Sequence, residues 1–183
     1  MTTAMTPAIR TCFQVSALLT LALFGLVLPA AAQERVLTPE KAGGFDGVVT
    51  QCVSFVHYDF ANGMCDKVIP AVEKMAETNG LKHLHLGRTE WGFGTDEYLE
   101  LPADAGFKRP VWLTFYIRAT DKPVSAFLWM SLYEPSASVG RRVLWEDSGI
   151  GAGQAKRITN GLSAGLAGKL KPVFQALGEG RSE

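Results

Sequence analysis

Two consecutive stretches of strict alternation constrain this chain more than any other feature. From Val111 to Ala119, Val111, Leu113, Phe115 and Ile117 fall on one side, with Trp112, Thr114, Tyr116 and Arg118 on the other. After the turn Asp121-Lys122-Pro123, Val124, Ala126, Leu128, Met130 and Leu132 alternate with Ser125, Phe127, Trp129, Ser131 and Tyr133. A period of two marks a β-strand with two unlike faces. Paired as neighbours, the strands make a sheet that is aliphatic on one face and aromatic on the other. The aliphatic face must be buried under a second layer.

Helices supply that layer. Residues 153–177 carry an apolar stripe of Ile158, Leu162, Leu166, Leu170, Val173, Phe174 and Leu177 at helical spacing, with Pro172 predicting a kink near the end. Residues 64–78 carry Met64, Val68, Val72 and Met75, with Cys65, Ile69 and Ala76 beside them, and Asn79-Gly80 is a left-handed stop. Pro70 falls inside that pattern. Residues 48–58 fit either a β-branched strand or a helix through Val49, Cys52, Val53, Val56 and Phe60; the helical spacing is preferred. Leu81 to Gly87 reads as a short strand, with Leu84 and Leu86 opposite His83 and His85, and Arg141–Glu146 as another. Residues 88–110 show no sustained period, so a long loop is expected there, with room for a small hairpin around Gly94. The expected fold is an α+β two-layer sandwich. A mostly antiparallel sheet of three to five strands carries an N-terminal helical region and a long C-terminal helix on one face.

The first residues read as an address. Arg10 is the only charge before an apolar run from Ala17 to Leu28, followed by Pro29 and the small residues Ala30, Ala31 and Ala32. This is the order of a secretory signal peptide, with cleavage expected after Ala32. The run is shorter than the roughly 20 residues that span a bilayer, so no stable membrane span is expected after cleavage. No cysteine follows it to carry a lipid anchor. The domain organisation is therefore a cleaved segment 1–32, a single domain 33–178 and a flexible tail 179–183. High alanine and glycine content points to a bacterial periplasmic or secreted protein.

Cys12 leaves with the signal, and Cys52 and Cys65 remain as an even pair in an oxidising compartment, which predicts a disulfide. The 183-residue chain is 47% hydrophobic, with 18 basic and 18 acidic side chains. That content excludes a disordered tail. The lack of basic surplus excludes nucleic-acid binding driven by counterion release.

No catalytic constellation stands out. Gly161-Leu162-Ser163-Ala164-Gly165 has the letters of a nucleophile elbow, but it lies mid-helix with no histidine after it. Its glycines, with Gly168, instead predict a small-residue face that lets a neighbouring helix approach. Gly149-Ile150-Gly151-Ala152-Gly153 lacks the third glycine of a dinucleotide loop and a surrounding βαβ unit, so a turn is expected and no cofactor is implied. His83 and His85, two residues apart, are weak metal candidates; His57 is the only other histidine, and a polar outer strand face is the preferred reading of the pair. Glu90, Asp96, Glu97, Glu100 and Asp104 read as a solvated acidic loop.

The aromatic sheet face is the feature that points to function. Trp112, Tyr116, Arg118, Phe127, Trp129 and Tyr133 are the candidate binding residues, with Trp145 joining if the last strand's register allows. Tyr, Trp and Arg are what recognition surfaces use. Three occupants are considered: segment 88–110 with Trp91, Phe93 and Tyr98 as a lid, a second copy in a homodimer, or an envelope protein, peptide or glycan. The expected function is a non-enzymatic exported binding or accessory domain. The alternatives are a small exported hydrolase or metal-binding protein using His83, His85 and loop acids, and a structural homodimer.

Overall fold

The computed structural model describes residues 36–54, 59–89, 95–136 and 140–181. The element order is β1 (Gly47–Ser54), α1 (Asp59–Thr78), β2 (Lys82–Thr89), α2 (Thr95–Asp104), β3 (Pro110–Asp121), β4 (Val124–Ser136), β5 (Gly140–Ala152) and α3 (Ala155–Gly180). The strands form one sheet in the order β2-β1-β3-β4-β5. The long ladders β3–β4 and β4–β5 are antiparallel, and β1 is parallel to both of its neighbours. Helices α1 and α3 cover one face. This is the expected α+β sandwich with a mostly antiparallel sheet and a long C-terminal helix.

The aliphatic stripes meet as their periods require. Val111, Leu113, Phe115 and Ile117 of β3 and Ala126, Leu128, Met130 and Leu132 of β4 are buried together with Ile158, Leu166, Leu170, Val173, Phe174 and Leu177 of α3. Helix α1 adds Ala61, Met64, Cys65, Val68, Val72 and Ala76. Its end is the predicted one: Gly80 takes a positive φ of 67°, and the Leu81 N–H donates to the Ala76 carbonyl at 2.9 Å. The Cys52–Cys65 disulfide ties β1 to α1 across 13 residues of sequence.

Several expectations are corrected. The N-terminal helical region is absent from Gly47–Ser54, which is a strand with all eight residues buried; residues 55–58 lie outside the described residues. A central strand with parallel neighbours on both sides is apolar on both faces, so it shows no alternation. The loop 88–110 contains α2, and Gly94 lies outside the described residues. The stretch 149–152 is the end of β5, not a turn. Gly149 and Gly151 sit under α3, where an added Cβ would lie 3.1 Å from Leu162 and from Ile158 respectively. Conversely, a Cβ at Gly161, Gly165 or Gly168 would meet nothing within 4 Å among the described residues, so no close helix approach is seen there. Helix α3 continues through Pro172 to Gly180, a buried residue whose Cβ would lie 2.6 Å from the Pro39 carbonyl oxygen. Helix α3 thus extends two residues past 178, with Glu179 exposed and Gly180 packed.

One end of the sheet is tied by charge. The Asp46 carboxylate accepts the backbone N–H groups of Lys108 and Arg109 at 2.8 and 2.9 Å and lies 3.7 Å from the Lys82 ammonium. Desolvation pushes the Asp46 pKa up, but the two N–H donors and the Lys82 charge outweigh it and hold the group below its ordinary value. Glu134 is gripped by Arg109 at 2.9 Å and Arg142 at 2.6 Å, while the Arg109 guanidinium lies over the Phe45 ring at 4.4 Å. The Gly44 N–H donates to the Gly180 carbonyl at 3.3 Å, which brings the entering segment and the last turn of α3 together.

Candidate functional site

The β3–β4 register places all six predicted binding residues on the sheet face away from α1 and α3. Trp112 lies opposite Tyr133, Tyr116 opposite Trp129, and Arg118 opposite Phe127. Strand β5 extends the rows, with Val143 opposite Tyr133, Ser148 opposite Trp129 and Ile150 opposite Phe127. Trp145 does not join. An irregularity between Leu132 and Tyr133 shifts β5 by one residue, so Trp145 pairs with Leu132 and is buried in the helix-side core.

The face is graded from covered to open. At the covered end, Trp112 and Tyr133 are buried with Val49 and Phe107, against Leu84, Leu86 and Val143. Their rings stack at 6.5 Å. The Tyr133 hydroxyl lies 3.2 Å from the Thr114 hydroxyl, and the Arg141 guanidinium stands 5.4 Å from the Tyr133 ring centroid. Phe107 comes from the segment expected as a lid and is the residue of it that packs at this end among those described. Trp91 and Phe93 lie outside the described residues, as does the side chain of Tyr98.

In the middle, Tyr116 and Trp129 stack at 4.8 Å with 21° between their planes, both half-buried. Arg141 donates to the Tyr116 hydroxyl at 3.0 Å. The Ser131 hydroxyl is buried nearby without a hydrogen-bond partner among the described residues. At the open end, Phe127 is 42% exposed and Ile150 79%, side by side, with exposed Arg118 flanking Phe127. Large apolar side chains are thus paired across strands in water, beside a cation and a half-buried aromatic stack.

The other candidate groups are dispersed. Ser163 is buried mid-helix in α3, which is not the exposed strand-to-helix turn that an elbow requires. Glu100 and Asp104 are exposed on α2; Glu90 and the side chains of Asp96 and Glu97 lie outside the described residues. His83 and His85 do not stand on the outer face. Their register opposite Val48 and Thr50 turns them to the α1 side, while Leu84 and Leu86 take the aromatic side. Desolvation lowers both imidazole pKa values, opposed at His83 by the charge of Glu73 and at His85 by a hydrogen bond with Thr50 and the charge of Asp66. His57 lies outside the described residues. No group of three or more His, Cys, Asp or Glu among the described residues is placed to hold a metal.

No known protein family matches the chain, and no curated protein does. Among solved structures, the chain is similar to a PelC dodecamer from Paraburkholderia phytofirmans at TM-score 0.43 and 14% identity, over 76% of this chain and 91% of that one. A point variant of PelC from the same organism aligns at TM-score 0.43 and 13% identity, over 73% and 90%. Similarity at this level assigns no function to the chain.

Proposed function

We propose that this is an exported, non-enzymatic binding or accessory domain that engages a protein, peptide or glycan partner of the cell envelope through the open end of its aromatic sheet face. The observation that carries this reading is the exposed pair Phe127 and Ile150, set beside Arg118 and continuous with the Tyr116–Trp129 stack. The aliphatic side chain of Ile150 favours a protein or peptide over a sugar. Export is supported by the Cys52–Cys65 disulfide and by the charged–apolar–small order of residues 1–32.

The test is site-specific photocrosslinking in the producing cell, with a benzophenone-bearing residue in place of Ile150 and, separately, of the exposed helix residue Gln175 on the opposite layer. The reading expects a discrete adduct from position 150 that Arg118→Ala weakens, and none from position 175. An adduct with a second copy of the chain would support the homodimer instead. The same labelling at both positions would mean that the face has no partner of its own.

A further inference from the structure

We propose that His83 and His85, converging on the Thr50 hydroxyl beneath helix α1, form an open chelating site for a borderline divalent transition-metal ion, copper(II) foremost. The site lies on the opposite side of the sheet from the aromatic face and is independent of the reading above.

The geometry begins with the strand. Residues two apart on β2 project to the same face, with Cα atoms about 7 Å apart, so the two rings stand side by side. Thr50 of β1 lies opposite His85 in the parallel ladder, and Val48 lies opposite His83. The Thr50 hydroxyl oxygen is 2.9 Å from His83 Nε2 and 3.1 Å from His85 Nδ1. The two nitrogens are therefore aimed at one point, and are no further apart than those two distances laid end to end. The hydroxyl has one proton to offer to His83 Nε2, to His85 Nδ1 or to the Leu84 carbonyl oxygen at 3.4 Å, so at least one of the rings donates to it. A cation binding both nitrogens at about 2.0–2.1 Å takes the place of their hydrogen bonds to Thr50; the hydroxyl keeps its proton for the Leu84 carbonyl, and a ring that carried N–H at the binding nitrogen carries it on its other nitrogen instead. Binding needs only ring rotation and this change of tautomer. His85 is exposed and His83 half-buried, so the rings have room to turn, while Thr50 behind them is fully buried.

The surroundings select the kind of ion. Cys52 and Cys65 are joined to each other and offer no thiolate. No further His, Cys, Asp or Glu among the described residues completes a closed site, so water must fill the other positions. Two imidazoles plus water suit copper(II), nickel(II) and zinc(II), and copper(II) stands at the top of the affinity order for such donors.

The test is titration of the purified, chelator-treated protein with copper(II) and separately with zinc(II), followed by calorimetry, with electron paramagnetic resonance of the copper form. The expected result is one tightly bound copper(II) per chain showing nitrogen hyperfine coupling, with zinc(II) weaker by about tenfold or more. His85→Ala should lower copper(II) affinity by at least about tenfold without moving the melting temperature, because the side chain is exposed. Thr50→Val should leave copper(II) binding in place, since the imidazoles are the ligands. Copper(II) affinity unchanged in His85→Ala, absence of nitrogen coupling, or no binding at all would each overturn the proposal.

Discussion

Replacing Trp112 and Phe127 in turn by alanine tests whether the aromatic face has two physically different ends. Trp112 is fully buried against Val49, Phe107 and Tyr133. Truncating such a side chain removes its apolar contacts and leaves a cavity, at about 3–5 kcal/mol. A domain of this size has about 5–15 kcal/mol in total, so the loss is a large share of it. The melting temperature should fall by about 6–20 °C, at about 2–4 °C per kcal/mol. Phe127 is 42% exposed. Its replacement should cost within about 0.5 kcal/mol and lower melting by about 2 °C or less. Urea unfolding followed by far-ultraviolet circular dichroism gives both values, free of the change in tryptophan fluorescence. A cost at Phe127 comparable to that at Trp112 would show that a segment of the same chain is seated over the open end, and the recognition reading would fail. A cost below about 1 kcal/mol at Trp112 would refute the sealed end.

Three further outcomes are expected. Replacing both Cys52 and Cys65 by alanine should lower the unfolding free energy by about 2–4 kcal/mol, and an unchanged urea midpoint would show that the β1–α1 link contributes nothing. Gly165→Ala, into open space on α3, should stabilise by about 0.5–1 kcal/mol, whereas Gly151→Ala, with its Cβ 3.1 Å from Ile158, should destabilise; melting shifts of the same sign would refute the packing assigned to them. The lowered pKa of Asp46 means that its stabilisation is full above the unfolded value of about 3.9 and is lost as pH falls through the lower folded value. Asp46→Asn should therefore flatten the acid limb of a stability–pH profile, and a limb as steep as that of the parent chain would show that other carboxylates account for it.

The fold was legible wherever one side of an element faces a core and the other does not. The hairpin of β3 and β4 and the stripe of α3 are of this kind, so alternation and helical period revealed them. Strand β1 failed the same test because it is buried on both sides, and its apolar residues fit a helical period by coincidence. Trp145 could not be assigned a side, because a one-residue shift in the β4–β5 ladder inverts every later side chain and leaves no local mark. Helix α2 was hidden by Pro102, which lies inside it.

The candidate site was legible as a row but not as a gradient. Alternation placed Trp112, Tyr116, Arg118, Phe127, Trp129 and Tyr133 together. Which of them is covered depends on Phe107, brought over Trp112 by a segment without a period of its own. The neighbourhood of His83 and His85 was hidden for a related reason. Their partner Thr50 sits on a strand 33 and 35 residues earlier, and only the sheet order makes them neighbours.

The meeting of Gly44 with Gly180 has a consequence for how the domain presents itself. Both ends of the folded unit leave from the end of the sheet where Asp46 and Glu134 are clamped. Phe127 and Ile150 stand near the opposite end, beside the β3–β4 turn and the close of β5. From Pro110 to Arg118, strand β3 spans about 25–30 Å. A domain held by either end is thus mounted like a lamp on a bracket, with its attachment behind and its exposed aromatic tip turned outward. A tag, a fusion partner or a surface coupled at either end leaves that tip unobstructed.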